Sequence, residues 1–236
     1  MFSVIFEVCP KKERFNDYLE LAKHLKPIIE KIDGFVDNER FESSRRPGWL
    51  LSHSTWRDEK SVVRWRTEGE HHAVQEKGRF EIFADYHLRV GDVIADTSPP
   101  ASAPIREQRF DETEVGAAKL ATMTEILPQE AAAFAAQPDL LAAHLGLDAG
   151  TSAVAEHDVF KSIYTPGKLA LLVSWRDRDA GVHWMPSKPA GVRDLRHRKV
   201  RIVRDYGMRD RREAPQFYPP VGRAYVERSD AERSKT

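Results

Sequence analysis

The sequence carries a single cysteine, Cys9, in 236 residues, and no excess of charge, since 37 Lys and Arg stand against 37 Asp and Glu. One thiol excludes an intrachain disulfide and a cysteine-based zinc cluster. A balanced charge leaves no field to gather the chain onto nucleic acid or an acidic bilayer, so neither is an expected partner. No apolar run approaches the roughly 18 residues of a membrane span, and the start lacks the basic-then-apolar pattern of a secretory leader. These absences predict a soluble, cytoplasmic protein. Tryptophan is also scarce, at five residues, and its scarcity makes its placement informative.

Gly48, Trp56-Arg57-Asp58, Trp65 and Asp85-Tyr86 are echoed by Gly167, Trp175-Arg176-Asp177, Trp184 and Asp205-Tyr206. The offset is 119, growing to 120 at Asp-Tyr, and four of the five tryptophans fall on paired positions. An internal repeat sets the unit being folded, so the chain reads as two copies of a module of roughly 110 residues, an ordinary domain size. The copies are placed at 1–96 and 114–210, joined by a Pro-rich linker at 97–113 and followed by an extended tail at 211–236.

Within the first copy, Phe2 to Val8 is apolar and β-branched and predicts a buried strand. From Glu13 to Ile32 apolar residues recur at spacings of three and four, the mark of an amphipathic helix, with Pro27 expected to kink or divide it. Phe35 to Ser43 and Trp49 to Trp56 read as a hairpin turning at Pro47-Gly48. Asp58 is the expected N-cap of a short helix carrying Trp65, a second short helix covers His71 to Lys77, and Phe80 to Asp96 is the last strand. The order β-α-β-β-α-β is ferredoxin-like, so the fold class is α+β. The second copy repeats it with strands at Val115 to Ile126, Val154 to Ile163, Leu169 to Trp175 and Val200 to Tyr206, and broken helix at 130–134 and Leu140 to Leu145. It lacks the polar segment around His71 to Arg79, and its basic run from Arg193 to Arg212 reads as a solvated strand face.

The pattern from Glu39-Arg40-Phe41 through Trp56-Arg57-Asp58, Trp65-Arg66, His71, Gln75, Gly78-Arg79 and Asp85-Tyr86 to Arg89-Val90 resembles the antibiotic biosynthesis monooxygenase family of the dimeric α+β barrel superfamily. The resemblance covers about 2 to 96 well and about 115 to 210 through the Trp-Arg-Asp and Asp-Tyr anchors. It implies two ferredoxin-like sheets that face each other and close a barrel, here within one chain. A further homodimer is compatible with this but not required.

Members of that family differ in chemistry. Some oxygenate phenols or quinols with O2 and no cofactor, some bind and degrade haem, and some have no known reaction. In the haem degraders a Trp is followed ten residues later by an axial His; with Trp65 on that Trp, Gln75 takes the ligand position, leaving His71 or His72 as substitutes. The expected function is therefore an oxygenase acting on a small aromatic or other electron-rich molecule with O2 and no bound organic cofactor. A haem-dependent oxygenase and a non-catalytic small-molecule-binding protein are the alternatives.

The candidate catalytic residues are His71 and Arg79. An imidazole with a pKa near 6.5 would take a phenolic proton, and a guanidinium would hold the resulting oxyanion. The candidate substrate-binding residues are Asn38, Ser52, Trp65, His72 and Tyr86. Against these stand plainer readings: idle surface histidines, a surface Arg79, and a scaffold role for Trp56, Trp65 and Tyr86, because they recur in the second copy. His24, His53, His144, His157, His183 and His197 form no metal-ligand spacing, so no metal is expected.

Overall fold

The computed structural model describes residues 1–129 and 140–215, so the expected helix at 130–134 and most of the C-terminal tail lie outside the described residues. Strands β1 (Phe2–Pro10), β2 (Phe35–Ser43), β3 (Leu50–Trp56) and β4 (Phe83–Asp96) come from the first half. Strands β5 (Leu120–Pro128), β6 (Val154–Ser162), β7 (Leu169–Trp175) and β8 (Val192–Gly207) come from the second. They close one antiparallel barrel in the order β1-β3-β2-β6-β7-β5-β8-β4. Each half contributes a ferredoxin-like sheet, and the halves join at two seams, β2 with β6 and β4 with β8.

Helices α1 (Phe15–Ile29), α2 (Glu59–Thr67) and α3 (Gly69–Lys77) cover the outside of the first sheet. Helix α1 runs through Pro27 and ends two residues later, at Ile29, so the proline neither divides the helix nor stands far from its end. Asp58 caps α2 as expected, accepting from the Ser61 N–H at 2.8 Å. Gly34, at φ +86°, lets the chain leave α1 and pass Ser61, whose Oγ would stand 2.0 Å from any Cβ placed there. After α3 the chain makes a wide helical turn at Gly78–Ile82, so β4 begins at Phe83 and not at Phe80. In the second half, short helices α4 (Leu141–His144) and α5 (Arg178–His183) pack on a core containing Trp175. Among the described residues no helix is long and apolar enough to cross a membrane.

Alternation along β1 separates two environments: Phe2 and Val8 pack under the helices, whereas Ile5 faces the barrel lumen with Phe41, Leu51, Met123 and Phe160. The lumen also holds charge. Arg89 pairs with Glu7, and Arg198 with Glu125, all four nearly fully buried. Arg46 bridges Glu7 and, at 2.7 Å across the seam, Asp158; Lys168 bridges Glu125 and, at 3.1 Å, Glu39. Ser43 donates to Asp158 at 2.8 Å and Ser162 to Glu39 at 2.6 Å, so the two ends of the β2–β6 seam carry the same contact related by a pseudo-two-fold axis. Burial works to raise the Glu7 and Glu125 carboxyls, but their Arg and Lys partners outweigh it and hold both below the ordinary range.

The basic run from Arg193 to Arg212, expected to be solvated, is so only at its ends, where Arg193 and Arg212 are exposed. In its middle, Arg198, Lys199 and Arg201 are no more than 9% exposed, and β8 starts at Val192, where it pairs with Pro128 of β5. Strand β5 starts at Leu120 and not Val115, since Glu213 caps the N–H groups of Glu114 (2.7 Å) and Val115 (3.3 Å) and holds the approach as a turn. Segment 97–113 has no strand or helix, yet it is strapped down: the N–H groups of Gln108 and Arg109 bond to Asp92, Arg109 pairs with Glu59 at 2.9 Å, and Ala103 is buried.

Strand register also corrects the repeat. Glu7 pairs with Leu51 and His87, and Glu125 pairs with Ala170 and Arg196. Leu51 and Ala170 are 119 apart but His87 and Arg196 only 109, so the second half is ten residues shorter before its last strand. Asp85-Tyr86 and Asp205-Tyr206 are therefore not equivalent positions. Tyr206 instead pairs with Leu88, beside Tyr86.

Trp175 is 3% exposed, donates to Thr122 at 3.0 Å and meets Trp184 at 5.7 Å between ring centroids. Trp175→Ala should lower unfolding free energy by about 3–5 kcal/mol in denaturant titration; native stability in that variant would refute its scaffold role. Buried histidines set a pH dependence, His53 and His197 among them. Burial pushes His53 down to about 3 and His197 to about 4, from an ordinary 6.5. Below pH 6.5 the unfolded chain binds protons that the folded chain does not, so stability falls as pH drops from 6.5 toward 4. Loss of the paired carboxylates Glu7 and Glu125 follows at lower pH, in the same direction. The melting temperature should fall between pH 7 and 5, with His197→Gln flattening that slope; an unchanged slope would contradict the burial account.

Candidate active site

Between the outer face of the first sheet and helices α1 to α3 lies a cavity of about 410 Å³. Its floor is apolar where β1 and β4 supply Val4, Phe6, Leu88 and Val90, and polar where β2 and β3 supply Asn38, Ser52 and Ser54. Its roof comes from Tyr18 and Leu25 on α1, Trp65 and Arg66 on α2, and His71, His72 and Gln75 on α3. All the residues singled out from the sequence, Asn38, Ser52, Trp65, His71, His72, Arg79 and Tyr86, line this one cavity.

Asn38 is held by two donated hydrogen bonds, to Ser52 Oγ and to the His53 carbonyl, both 3.1 Å. Trp65 stacks on Trp56 at 6.4 Å, and the His71 ring lies flat on Trp65 at 3.7 Å with an 11° interplanar angle. The indole face is thus occupied by protein, which leaves its edge for a ligand. With Nδ1 taken as the protonated nitrogen, His71 donates to the Trp65 carbonyl at 2.7 Å, and Gln75 Nε2 stands 3.3 Å from its Nε2. The Glu68 carboxylate caps α3 through the His71 N–H at 2.8 Å.

Burial pushes His71 down to about 4, against the opposing effects of the Trp65 carbonyl and Glu68. The imidazole is therefore neutral at physiological pH and too weak a base to strip an ordinary phenol; it acts as a hydrogen-bonding group. The tyrosines move the other way. Burial raises Tyr18 and Tyr86, and pushes Tyr206 up to about 12, so all three stay protonated as donors. The Tyr18 hydroxyl is buried beside the Arg40 guanidinium and has no acceptor for its own proton among the described residues, and Tyr86 accepts from Arg211.

The sequence reading missed several lining residues. In the sequence Tyr18 falls on the apolar face of the first helix, Arg66 belongs to the motif without a role of its own, and Tyr206 reads as a repeat of Tyr86. Arg204, Tyr206 and Arg211 come from β8 and the turn after it, so the second half reaches into the cavity of the first. The charge there is one-sided: Lys26, Arg40, Arg66, Arg79, Arg204 and Arg211 line the cavity against Glu59 and Glu76, and Glu59 is already paired with Arg109.

The corresponding floor of the second half has Leu171 and Val173 where the first has Ser52 and Ser54, and both are buried in a core with Leu141, Leu145, Trp175 and Leu195. A smaller cavity of about 290 Å³ opens at the barrel mouth beside Glu7, Arg46, Glu156 and Asp158. There Glu7, His87 and Glu156 bring ligand atoms within 4.8 Å of one another. Arg46 and Arg89 already neutralise Glu7, and His87 bonds to Asp205 at 2.6 Å, so the protein itself supplies the balancing charge.

Residues 1–77 match the antibiotic biosynthesis monooxygenase domain. A jasmonate monooxygenase ABM from Pyricularia oryzae is 43% identical over 227 residues, spanning 94% of this chain and 100% of its own. Among solved structures, an antibiotic biosynthesis monooxygenase aligns at TM-score 0.37 and 16% identity, over 40% of this chain and 100% of its own. Rv0793 from Mycobacterium tuberculosis aligns at TM-score 0.36 and 15% identity, over 44% and 98% respectively. With a relative this similar along nearly its whole length, the chain belongs to the antibiotic biosynthesis monooxygenase family.

Proposed function

We propose that this monooxygenase acts on a small amphipathic carboxylate of the jasmonate type, held in the cavity of the first half. The observation that carries the proposal is the combination of an apolar floor, Val4, Phe6, Leu88 and Val90, with arginines that have no carboxylate partner among the described residues. A jasmonate is a cyclopentanone bearing an apolar side chain and a carboxylate, and those parts match the two environments. The name of the Pyricularia oryzae relative supports the same class. A flat phenol held by stacking fits less well, because His71 occupies the Trp65 face.

Monooxygenation puts one atom of O2 into the substrate and releases the other as water, which consumes two electrons and two protons. An electron-rich carbon lets O2 react without an organic cofactor, and the enol of a ketone is one. The neutral Tyr18 hydroxyl is available to donate to such a carbonyl oxygen. In this reading His71 orients the substrate through a hydrogen bond, while Asn38 and Ser52 fix the polar edge of the floor. A haem would need an uncommitted imidazole. The Nε2 of His71 stands 3.3 Å from Gln75 and its ring is stacked on Trp65, which leaves His72 as the lining histidine for that role.

The test incubates purified protein with jasmonic acid, ascorbate as reductant and oxygen-18 gas, followed by mass spectrometry. The expected product carries one additional oxygen atom, labelled from the gas, and an absorption spectrum of the same sample has no Soret band. Label arriving from water, or jasmonic acid recovered unchanged, would reject the assignment. A Soret band that scales with turnover would replace the cofactor-free reading with the haem one.

A further inference from the structure

The least expected feature of the cavity is its end beside Tyr86 and Tyr206. In this charge-balanced chain the arginines of the barrel lumen are matched by carboxylates, as Arg89 is by Glu7 and Arg198 by Glu125. Arg66, Arg79, Arg204 and Arg211 line the cavity, and none of them has an ion pair among the described residues. Glu76 lines the cavity without an ion pair among the described residues, but the other nearby acids are committed. Asp205 is bonded to His87 at 2.6 Å, Asp111 pairs with Arg109, and Glu59 pairs with Arg109 at 2.9 Å.

These cations converge from both halves. The charges of Arg66, Arg211 and Arg204 all bear on the Tyr206 hydroxyl, and those of Arg211 and Arg79 on the Tyr86 hydroxyl. Arg66 comes from α2 of the first half, whereas Arg204 and Tyr206 come from β8 of the second, brought alongside β4 by the Leu88–Tyr206 and Val90–Arg204 pairs. Like charges gathered at a partly desolvated site are unfavourable until an anion joins them. Arg66 Nε is buried with no hydrogen-bond partner among the described residues, so a donor is left open there. A guanidinium presents a planar fork that matches a carboxylate, and a protonated phenol adds a further donor.

We propose that this end of the cavity is a carboxylate subsite spanning the two halves, in which Arg66 and Arg204 clamp the anion and the Tyr206 hydroxyl donates to it. The second half then serves as part of the first half's site. The clamp places the apolar remainder of the ligand over Phe6 and Leu88, below Tyr18. The clamp supplies the recognition element for the substrate class named above and rests on that reading only for the identity of the ligand.

Calorimetric titration of the purified chain with jasmonic acid, octanoic acid and their methyl esters tests it, on the native protein, Arg204→Gln, and Arg66→Gln. Circular dichroism and melting curves verify that each variant is folded. Both acids should bind the native chain more tightly than their esters, by about 10- to 100-fold, the range for losing a charge-assisted contact. Each substitution should weaken the acids by a similar factor and leave the esters unchanged, a split that a merely structural role would not produce. Native protein that binds neither acid, or acid and ester alike, overturns the clamp, as does a folded Arg204→Gln chain with native affinity for the acids. Acid-selective binding without oxygenation of jasmonic acid would leave the clamp standing and reject the substrate reaction. Oxygenation of acid and ester at equal rates would do the reverse.

Discussion

The molecule depends on charge enclosed in a barrel. Glu7 with Arg89, and Glu125 with Arg198, sit where water cannot solvate them, and an unpaired ion in such a place costs several kcal/mol. Buried pairs of this kind do not add much net stability, but they penalise any strand arrangement that separates them. Arg46 and Lys168 extend the two pairs across the seam to Asp158 and Glu39, so the register between halves is specified by charge as well as by the backbone ladder. The two ferredoxin-like sheets are consequently one body. The position of β8 beside β4, and with it the place of Arg204 and Tyr206, follows from that closure.

Asymmetry between the halves follows from a local change in chain length. The second half is ten residues shorter between its last two strands, the region that in the first half forms α3 and the turn at Gly78. Without that roof, an open floor would be exposed apolar surface. The sequence meets the problem by filling the space: Leu171 and Val173 replace the serines, and Trp184 folds over toward Trp175 and His197 at 5.7 and 5.3 Å. Among the described residues, the first sheet thus keeps an open cavity under its helices, and the second sheet has a supporting role.

Much of this was legible in the sequence because it rests on bulky residues at fixed spacing. Trp56 and Trp175 marked the two cores, Asp58 marked the start of α2, and the polar segment from His71 to Arg79 marked the cavity roof. The Asp-Tyr echo misled, since strand register is decided by pairing partners across the barrel and two similar dipeptides can land on positions that are not equivalent. The charged stretch of β8 looked solvated because its partners, Asp96, Glu125 and Glu107, lie far away in sequence. Burial of His71 was equally hidden: it arises from the Trp65 ring stacked on it, and it converts an expected base into a neutral hydrogen-bonding group. The arginine cluster is assembled from α2 and β8, which no local pattern brings together.

The central claim is that one chain holds one ligand, under the helices of the first half and against β8 of the second. A crystal structure of the full chain with bound jasmonic acid tests it most directly. The account expects a single molecule per chain, with its ring over Phe6 and Leu88 and its carboxylate between Arg66 and Arg204. Ligand density in the barrel lumen beside Glu7, or under the helices of the second half, would contradict it.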